Sequence, residues 1–346
     1  APTNSGLSHN IYSTYNVNNA GLVLNNANLG MGLTAQSTLG GELLTNPNLT
    51  KSASTILNEV TGTQRSVLNG FTEVLGSKAA VVLANPNGIT CMGCGFINTD
   101  YVTLTTGLPM INNLGALIGV KVKGGDIRIQ DTGVDASGNA LLNLLSRSVY
   151  IDGPVNAKLL DIRTGPMQYT LDPVTTGVTA SAALSGGDTP TGSVPAYAID
   201  TSVVGGMYAD TIRLIANEAG VGVRMLNDVA TKVGDFTLTS AGQIQLAGKI
   251  TSAANIGITG QSTGAGSFDN AALQLNNASL TSAHDTTVQV AGQMQIQGGQ
   301  LYAGGNSTLT LGSLKDRTTD ALQVGNNQRF AAGNLTVSTT GVRSES

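Results

Sequence analysis

The fold class this sequence predicts is all-β, wound as a right-handed parallel β-helix, a solenoid. Three observations predict the winding. Short apolar-alternating runs recur between Gly, Asn and Ser turns, a self-similar segment returns about two coils later, and the composition combines 45 Gly with only 5 Phe, 8 Tyr and no Trp. From about residue 200 onward FTLTSAG, QIQLAG, IGITG, LQLNN, TTVQVAG, QMQIQGG, STLTLGS and NLTVSTTG read as strands of roughly three to six residues. Ile244 and Leu246 alternate with Gln243 and Gln245, which puts aliphatics on one face and amides on the other. AGQIQLAG at 241 and AGQMQIQGG at 291 lie 50 residues apart, two turns of a coil with a period in the low to mid twenties. In such a coil small aliphatics stack inside, and Asn and Gly take the corners where φ is positive. Bulky aromatics do not fit the narrow lumen. At about 4.8 Å per coil, a dozen coils make a rod on the order of 55 to 60 Å long.

Charge and hydropathy exclude several function classes. The 17 Lys+Arg are scattered singly in a chain of net charge −4, so the clustered positive face of a nucleic-acid binder is missing. No apolar run approaches the roughly 20 residues that span a bilayer. The start, APTNSGLSHNIYS, has neither a basic n-region nor an apolar h-region, so a signal peptide is absent or already removed. Length alone allows two or three domains, but no Pro-rich or charge-rich linker divides the chain. One elongated domain over 1–346 is expected.

Two stretches depart from the coil pattern. Residues 170–198, TLDPVTTGVTASAALSGGDTPTGSVPAYA, are polar and turn-rich and predict an excursion outside the rod, a loop with a hairpin. Val67, Leu68, Phe71, Val74 and Leu75 form a helical stripe. Asn69-Gly70 interrupts it, and periodicity alone leaves helix and strand open there.

Chemical signals are few. GMGLTA at 30–35 matches a dinucleotide-binding pattern, but that pattern needs a helix beginning at the glycines, and QSTLGGELL is short and broken by Gly-Gly. No cofactor is expected. His9 and His284 are far apart among polar neighbours and read as solvated surface residues, which leaves no catalytic triad and no metal cluster. Asp126, Asp131 and Asp135 are the nearest approach to the grouped carboxylates of a carbohydrate-cleaving β-helix, and read as turn residues. The only two cysteines, Cys91 and Cys94, stand in CMGCGFINTDYVTLTTG. A redox Cys-x-x-Cys heads a helix, whereas this one runs into an alternating strand, and a metal needs two further ligands. A local disulfide formed in an oxidising compartment is the preferred reading, with a loop too short to stabilise much.

The pairing of NPNL at 46–49 with NPNGI at 85–89, the latter followed by CMGCGFINT, resembles the amino-terminal secretion domain of two-partner secretion exoproteins, the filamentous haemagglutinin family. Within it, the Cys-x-x-Cys-Gly-Phe-Ile-Asn-Thr continuation is most similar to contact-dependent growth inhibition effectors. GLSHNIYSTYNVNNAGLVLNN, ILNEVTG at 56–62 and AIDTSVVGGMYADTIRLIANEAGVGVRM at 198–225 look like family segments too.

The resemblance implies a right-handed parallel β-helix with an amino-terminal cap and extra-helical strands or a hairpin, and strands rather than helix over 67–75. It divides the chain into cap and early coils over 1–110, an excursion over 165–200 and regular coils over 200–346. It implies no enzyme activity and no membrane insertion, but a monomeric domain that addresses a large exoprotein to an outer-membrane β-barrel transporter, whose periplasmic POTRA domains recognise it. The product is secreted or held at the surface of a Gram-negative bacterium. The periplasm holds no ATP, so coil-by-coil folding outside is the expected driving force. The family motifs carry over to Asn46, Pro47, Asn48 and Leu49, and to Asn85, Pro86, Asn87, Gly88 and Ile89. Pro presets the second turn position and Asn and Gly tolerate the conformations after it, so these motifs shape coil corners; transporter contact is expected instead at exposed edges of early coils. A Cys91–Cys94 bridge, being local, would pass a narrow pore. A free-standing glycan-binding adhesin would need clustered exposed aromatics, and a polysaccharide lyase or hydrolase a groove of carboxylates and Arg; neither is visible. The ending TTGVRSES has no cap signal and is expected to continue into a longer solenoid.

Overall fold

The computed structural model describes residues 2–264, 270–316, 330–331 and 334–339. TTGVRSES lies outside these apart from Thr339. The chain forms two compact units, residues 1–149 with 153–193 and residues 150–152 with 194–346.

In the first unit three parallel ladders close around an aliphatic interior. One stacks Leu7–Tyr12, Thr55–Val60, Ala80–Ala84, Tyr101–Thr105 and the later halves of Val134–Ser146 and Pro154–Thr164. A second runs Leu22–Asn26, Phe71–Gly76, Cys94–Ile97 and the beginnings of the same two long strands. Ser66–Leu68, Ile89–Cys91 and Asp126–Ile129 make the third. Period-two patterning explains the interior: Ile56, Val81, Val102, Leu142 and Leu160 are successive ladder partners, all buried. Each such side chain contributes about 1.5–3 kcal/mol relative to exposure. The stripe over 67–75 is two strands, Ser66–Leu68 and Phe71–Gly76, with Asn69-Gly70 at the corner between them. A Cβ on Gly70 would run into the Asn18 carbonyl oxygen.

Outside the coils of this unit lies a four-stranded antiparallel sheet in the order Leu108–Ile111, Leu117–Lys121, Met167–Leu171 and Val178–Ala183. The predicted excursion therefore supplies only half of the sheet. The other half comes from 108–121, whose runs LPMI and LIGVK are apolar like the coil strands. Leu117, Val120, Tyr169 and Leu171 bury the sheet against Leu7, Leu57, Val82 and Leu145 of the first ladder. A second extra-helical element, the hairpin Thr34–Ser37 with Gly41–Leu44, lies near the amino terminus.

The second unit repeats the three-ladder plan. Tyr197–Thr201, Gly222–Met225, Ile244–Leu246 and Leu273–Ser282 stack in one ladder. In it Ile244 pairs with Leu273 and Leu273 with Met294, so the two self-similar segments lie two coils apart. Two expectations need correction. The strands are not all short: Leu273–Ser282 keeps register with Met294–Ala303, the later part of Thr286–Ala303, around the corner where Asn277, Gly298 and Gly299 take positive φ. Nor is the lumen closed to aromatics, since Phe236 is fully buried, stacked in register between Ile212 and Ile256. One corner carries a column of short polar side chains. Asp235 accepts from the Asn255 N–H, Asn255 from the Asp285 N–H, and Asp285 from the Asn306 N–H, at 3.0, 3.0 and 2.7 Å. Each coil thus satisfies the first donor of the next.

Candidate functional site

The NPNGI corner is set into the coil stack of the first unit, between Ala80–Ala84 and Ile89–Cys91. Asn85 is fully buried. Its Nδ2 donates to the Gln64 carbonyl and to Ser66 Oγ, both at 2.9 Å, while its Oδ1 accepts from the Asn87 N–H and Nδ2 at 3.0 Å. Its backbone N–H donates to Thr105 O and its carbonyl accepts from the Gly88 N–H. Three coil levels therefore meet at one residue. Asn87, exposed at the turn, reaches back to the Gly62 carbonyl at 2.7 Å. Gly88 has φ +105, and a Cβ there would press on the Arg65 guanidinium. Ile89 is buried and Pro86 half-buried.

Arg65, which sequence reasoning did not single out, ties this corner to the next level. It donates to Ile89 O at 3.0 Å and pairs with the Asp126 carboxylate, whose other oxygen accepts from Arg128 Nε at 2.7 Å. Asp126 is consequently an ion-pair centre beginning a strand rather than a turn residue. Asp131 does take a turn conformation, with φ +53, and Asp135 accepts from the Ser137 N–H and hydroxyl.

Cys91 and Cys94 are disulfide-bonded, both buried, with Cα atoms 5.4 Å apart. The bridge spans the corner where the third ladder passes into the second, Cys91 opposite Ile129 and Cys94 opposite Val134.

NPNL stands in different surroundings, directly after the extra-helical hairpin. Asn46 Oδ1 accepts from the Asn48 N–H at 3.0 Å, and the Asn46 N–H donates to Ala27 O at 2.7 Å. Asn46 and Leu49 are half-buried, and Pro47 and Asn48 are exposed. The hairpin that precedes NPNL is fixed by Glu73, another residue the motifs did not reveal. It projects from Phe71–Gly76 and is 3 % exposed. It accepts from Ser37 Oγ, the Thr38 N–H and the Leu39 N–H at 2.7, 2.8 and 2.9 Å. Burial alone would raise its pKa, but these donors outweigh it and hold the carboxyl below its ordinary value. The only hint in sequence is one charge inside the apolar FTEVLG.

The remaining candidates do not assemble into a reactive centre. GMGLTA begins in a single 3-10 turn, Leu29–Met31, capped by Asn28, and passes into the strand Thr34–Ser37. His9 is not merely solvated, because its Nε2 lies 2.7 Å from Glu59; His284 is exposed in the second unit. Among the described residues no three His, Cys, Asp or Glu side chains are placed to hold a metal ion. No helix among them is long and apolar enough to cross a membrane.

The family model described as the TPS secretion domain matches residues 1–246. Similar curated proteins include a tRNA nuclease CdiA of Escherichia coli strain STEC_O31, 37% identical over 98% of this chain and 10% of that protein. Another tRNA nuclease CdiA, from Escherichia coli strain NC101, is 42% identical over 70% of this chain and 7% of its own length. The filamentous hemagglutinin of Bordetella pertussis is 35% identical over 86% of this chain and 8% of its own. The chain thus spans about a tenth of the length of the curated relatives it matches. Among solved structures, the crystal structure of the filamentous hemagglutinin secretion domain superposes with a TM-score of 0.67 at 30% identity, covering 90% of this chain and 92% of that one.

Proposed function

Because this chain belongs to the TPS secretion domain family, we propose that it is a secretion-targeting domain recognised by the POTRA domains of a dedicated outer-membrane β-barrel transporter. Members of the family are secreted or surface proteins of Gram-negative bacteria. In this reading the domain initiates export of a large exoprotein, an adhesin or a growth-inhibition effector, and its coils seed the folding of the coils exported after them. The observation that carries the reading is the family match over residues 1–246, the stretch that holds both Asn-Pro-Asn motifs.

The Asn-Pro-Asn turns serve this role by shaping the domain. Asn85 spends its side-chain hydrogen bonds within the coil stack, which leaves it nothing to offer a partner. The Cys91–Cys94 bridge closes a loop small enough to travel with the polypeptide. A pull-down of the chain, folded and unfolded, against the isolated POTRA domains of its transporter tests the assignment. Binding in either state is expected; the absence of binding in both would sink it and favour an adhesin that shares only the fold.

A further inference from the structure

The polar column at the corner of the second unit has a second half. Asn255, Asp285 and Asn306 each give their N–H to the Asp or Asn side chain one coil earlier. Their carbonyls accept from the residue that follows that side chain: Phe236 N–H to Asn255 O at 3.0 Å, Ile256 N–H to Asp285 O at 3.0 Å and Thr286 N–H to Asn306 O at 2.9 Å. Each earlier coil therefore grips one residue of the later coil by both of its backbone groups. Asn334 continues the series, its carbonyl accepting from the Ser307 N–H at 2.8 Å and its Nδ2 donating to Asn306 Oδ1 at 3.0 Å.

Two features separate this clamp from an ordinary turn bond. The first is spacing. Its members stand 20, 30, 21 and 28 residues apart, so coil length varies while the grip repeats, and chain length cannot set the register. The second is position. Each gripped residue directly precedes Ile256, Thr286, Ser307 or Leu335, which pair in succession from Phe236 onward. Fixing it fixes the strand. A slip of one residue would turn Ile258, Val288 and Leu309, all buried, to the outside. At a neighbouring corner Asp228 Oδ1 accepts from the Lys249 N–H at 3.0 Å in the same way, but a lysine side chain has no acceptor with which to continue.

We infer that this column sets the register of coil addition: Asp or Asn at the corner of a finished coil, with the N–H after it, is a two-point docking site for the backbone of the coil that arrives next. The partner is an extended segment of the same polypeptide, recognised through main-chain N–H and C=O alone. It passes the site on only if it brings its own Asp or Asn to the corner. The grip has a direction. Acceptor side chain and donor N–H both belong to the earlier coil and are in place before the later one arrives, which suits coils delivered in chain order. The alternation Asp235, Asn255, Asp285 keeps carboxylates two levels apart, about 10 Å, so like charges do not stack on adjacent coils. The inference rests on the targeting role proposed above, in which these coils seed those that follow.

The test follows refolding of the whole chain from urea by pulsed hydrogen exchange, read on 236–240, 256–260, 286–290 and 307–311. In the wild-type chain protection is expected in that order. Asp285→Ala removes the grip on the Asn306 N–H and should delay protection of 307–311 at least tenfold, leaving 236–240 and 256–260 at wild-type rates. Asp285→Asn keeps the acceptor and should behave as wild type, as should Thr287→Ala, an exposed neighbour outside the column. Equal delay of all four strands by Asp285→Ala, no delay at all, or protection of 307–311 before 256–260 in the wild-type chain overturns the inference. Should Asp285→Ala fail to refold, the wild-type order decides the matter. Binding to the POTRA domains is measured apart: its absence sinks the targeting role, whereas an overturned clamp with binding intact leaves that role standing.

Discussion

The tripeptide Asn-Pro-Asn occurs twice in this chain, and the two copies stand in opposite surroundings. At 85–87 the first Asn is fully buried and its amide joins Gln64, Ser66 and Asn87 across the coil stack. At 46–48 the side chain of the same residue makes one turn bond, to the Asn48 N–H, at a half-buried position, and the hairpin before it is anchored by Glu73. Identical local chemistry therefore serves as a keystone in one place and as a surface turn in the other. The difference lies in what the next coil brings alongside, because a turn motif specifies its own φ and ψ but not its neighbours.

Substitution should separate the two. Asn85→Ala leaves the fully buried Ser66 hydroxyl and the part-buried Gln64 carbonyl and Asn87 N–H short of a partner, and should cost about 3–4 kcal/mol, since buried groups stripped of partners each cost about 1–3 kcal/mol. Urea unfolding of the isolated chain measures it; a loss like that of an exposed turn would end the keystone reading. Next in size is Glu73→Gln, which replaces a charged acceptor of three bonds and should cost about 2–3 kcal/mol. That loss should be confined to the 34–44 hairpin and visible as faster amide exchange at Thr38 and Leu39.

Glu73 also predicts a pH response on the NPNL side alone. Its folded-state pKa is held below the ordinary carboxylate value, so its contribution is complete above that ordinary value and is lost as pH falls through the folded-state one. Exchange at the hairpin should quicken on acidification before exchange at Asn85 and Asn87 does. Simultaneous loosening of both corners would contradict this order.

Replacing Cys91 and Cys94 together by Ala removes a four-residue loop closure and should cost about 2 kcal/mol, less than Asn85→Ala at the neighbouring corner. Equal destabilisation would mean that the bridge, not the amide network, holds the NPNGI side. The smallest effect belongs to Asn46→Ala, about 0.5–1 kcal/mol for one partly solvated turn bond. Thermal melts of Asn46→Ala and Asn85→Ala side by side give the comparison directly.

Much of the coil architecture was legible in the sequence, because a period-two pattern with a repeat at 241 and 291 leaves few ways to bury aliphatics. The excursion was half legible: 170–198 is polar and irregular, but 108–121 is apolar like the coil strands. Phe236 shows that scarcity of aromatics is a tendency of the lumen and not a prohibition. At the candidate site the turns were readable from Pro, Asn and Gly. Arg65, Glu73 and the pairing role of Asp126 were not, since their partners lie many residues away.

By itself the sequence determined the class of fold, the positions of the corners and the family, through local chemistry: alternation sets which face is buried, and Asn, Pro and Gly set where the chain turns. Tertiary structure alone decided which Asn-Pro-Asn is a keystone and which carboxylate is an anchor. Each of these depends on what a neighbouring strand places within about 3 Å, the reach of a hydrogen bond, and ladder pairing between distant segments is not encoded in any single turn.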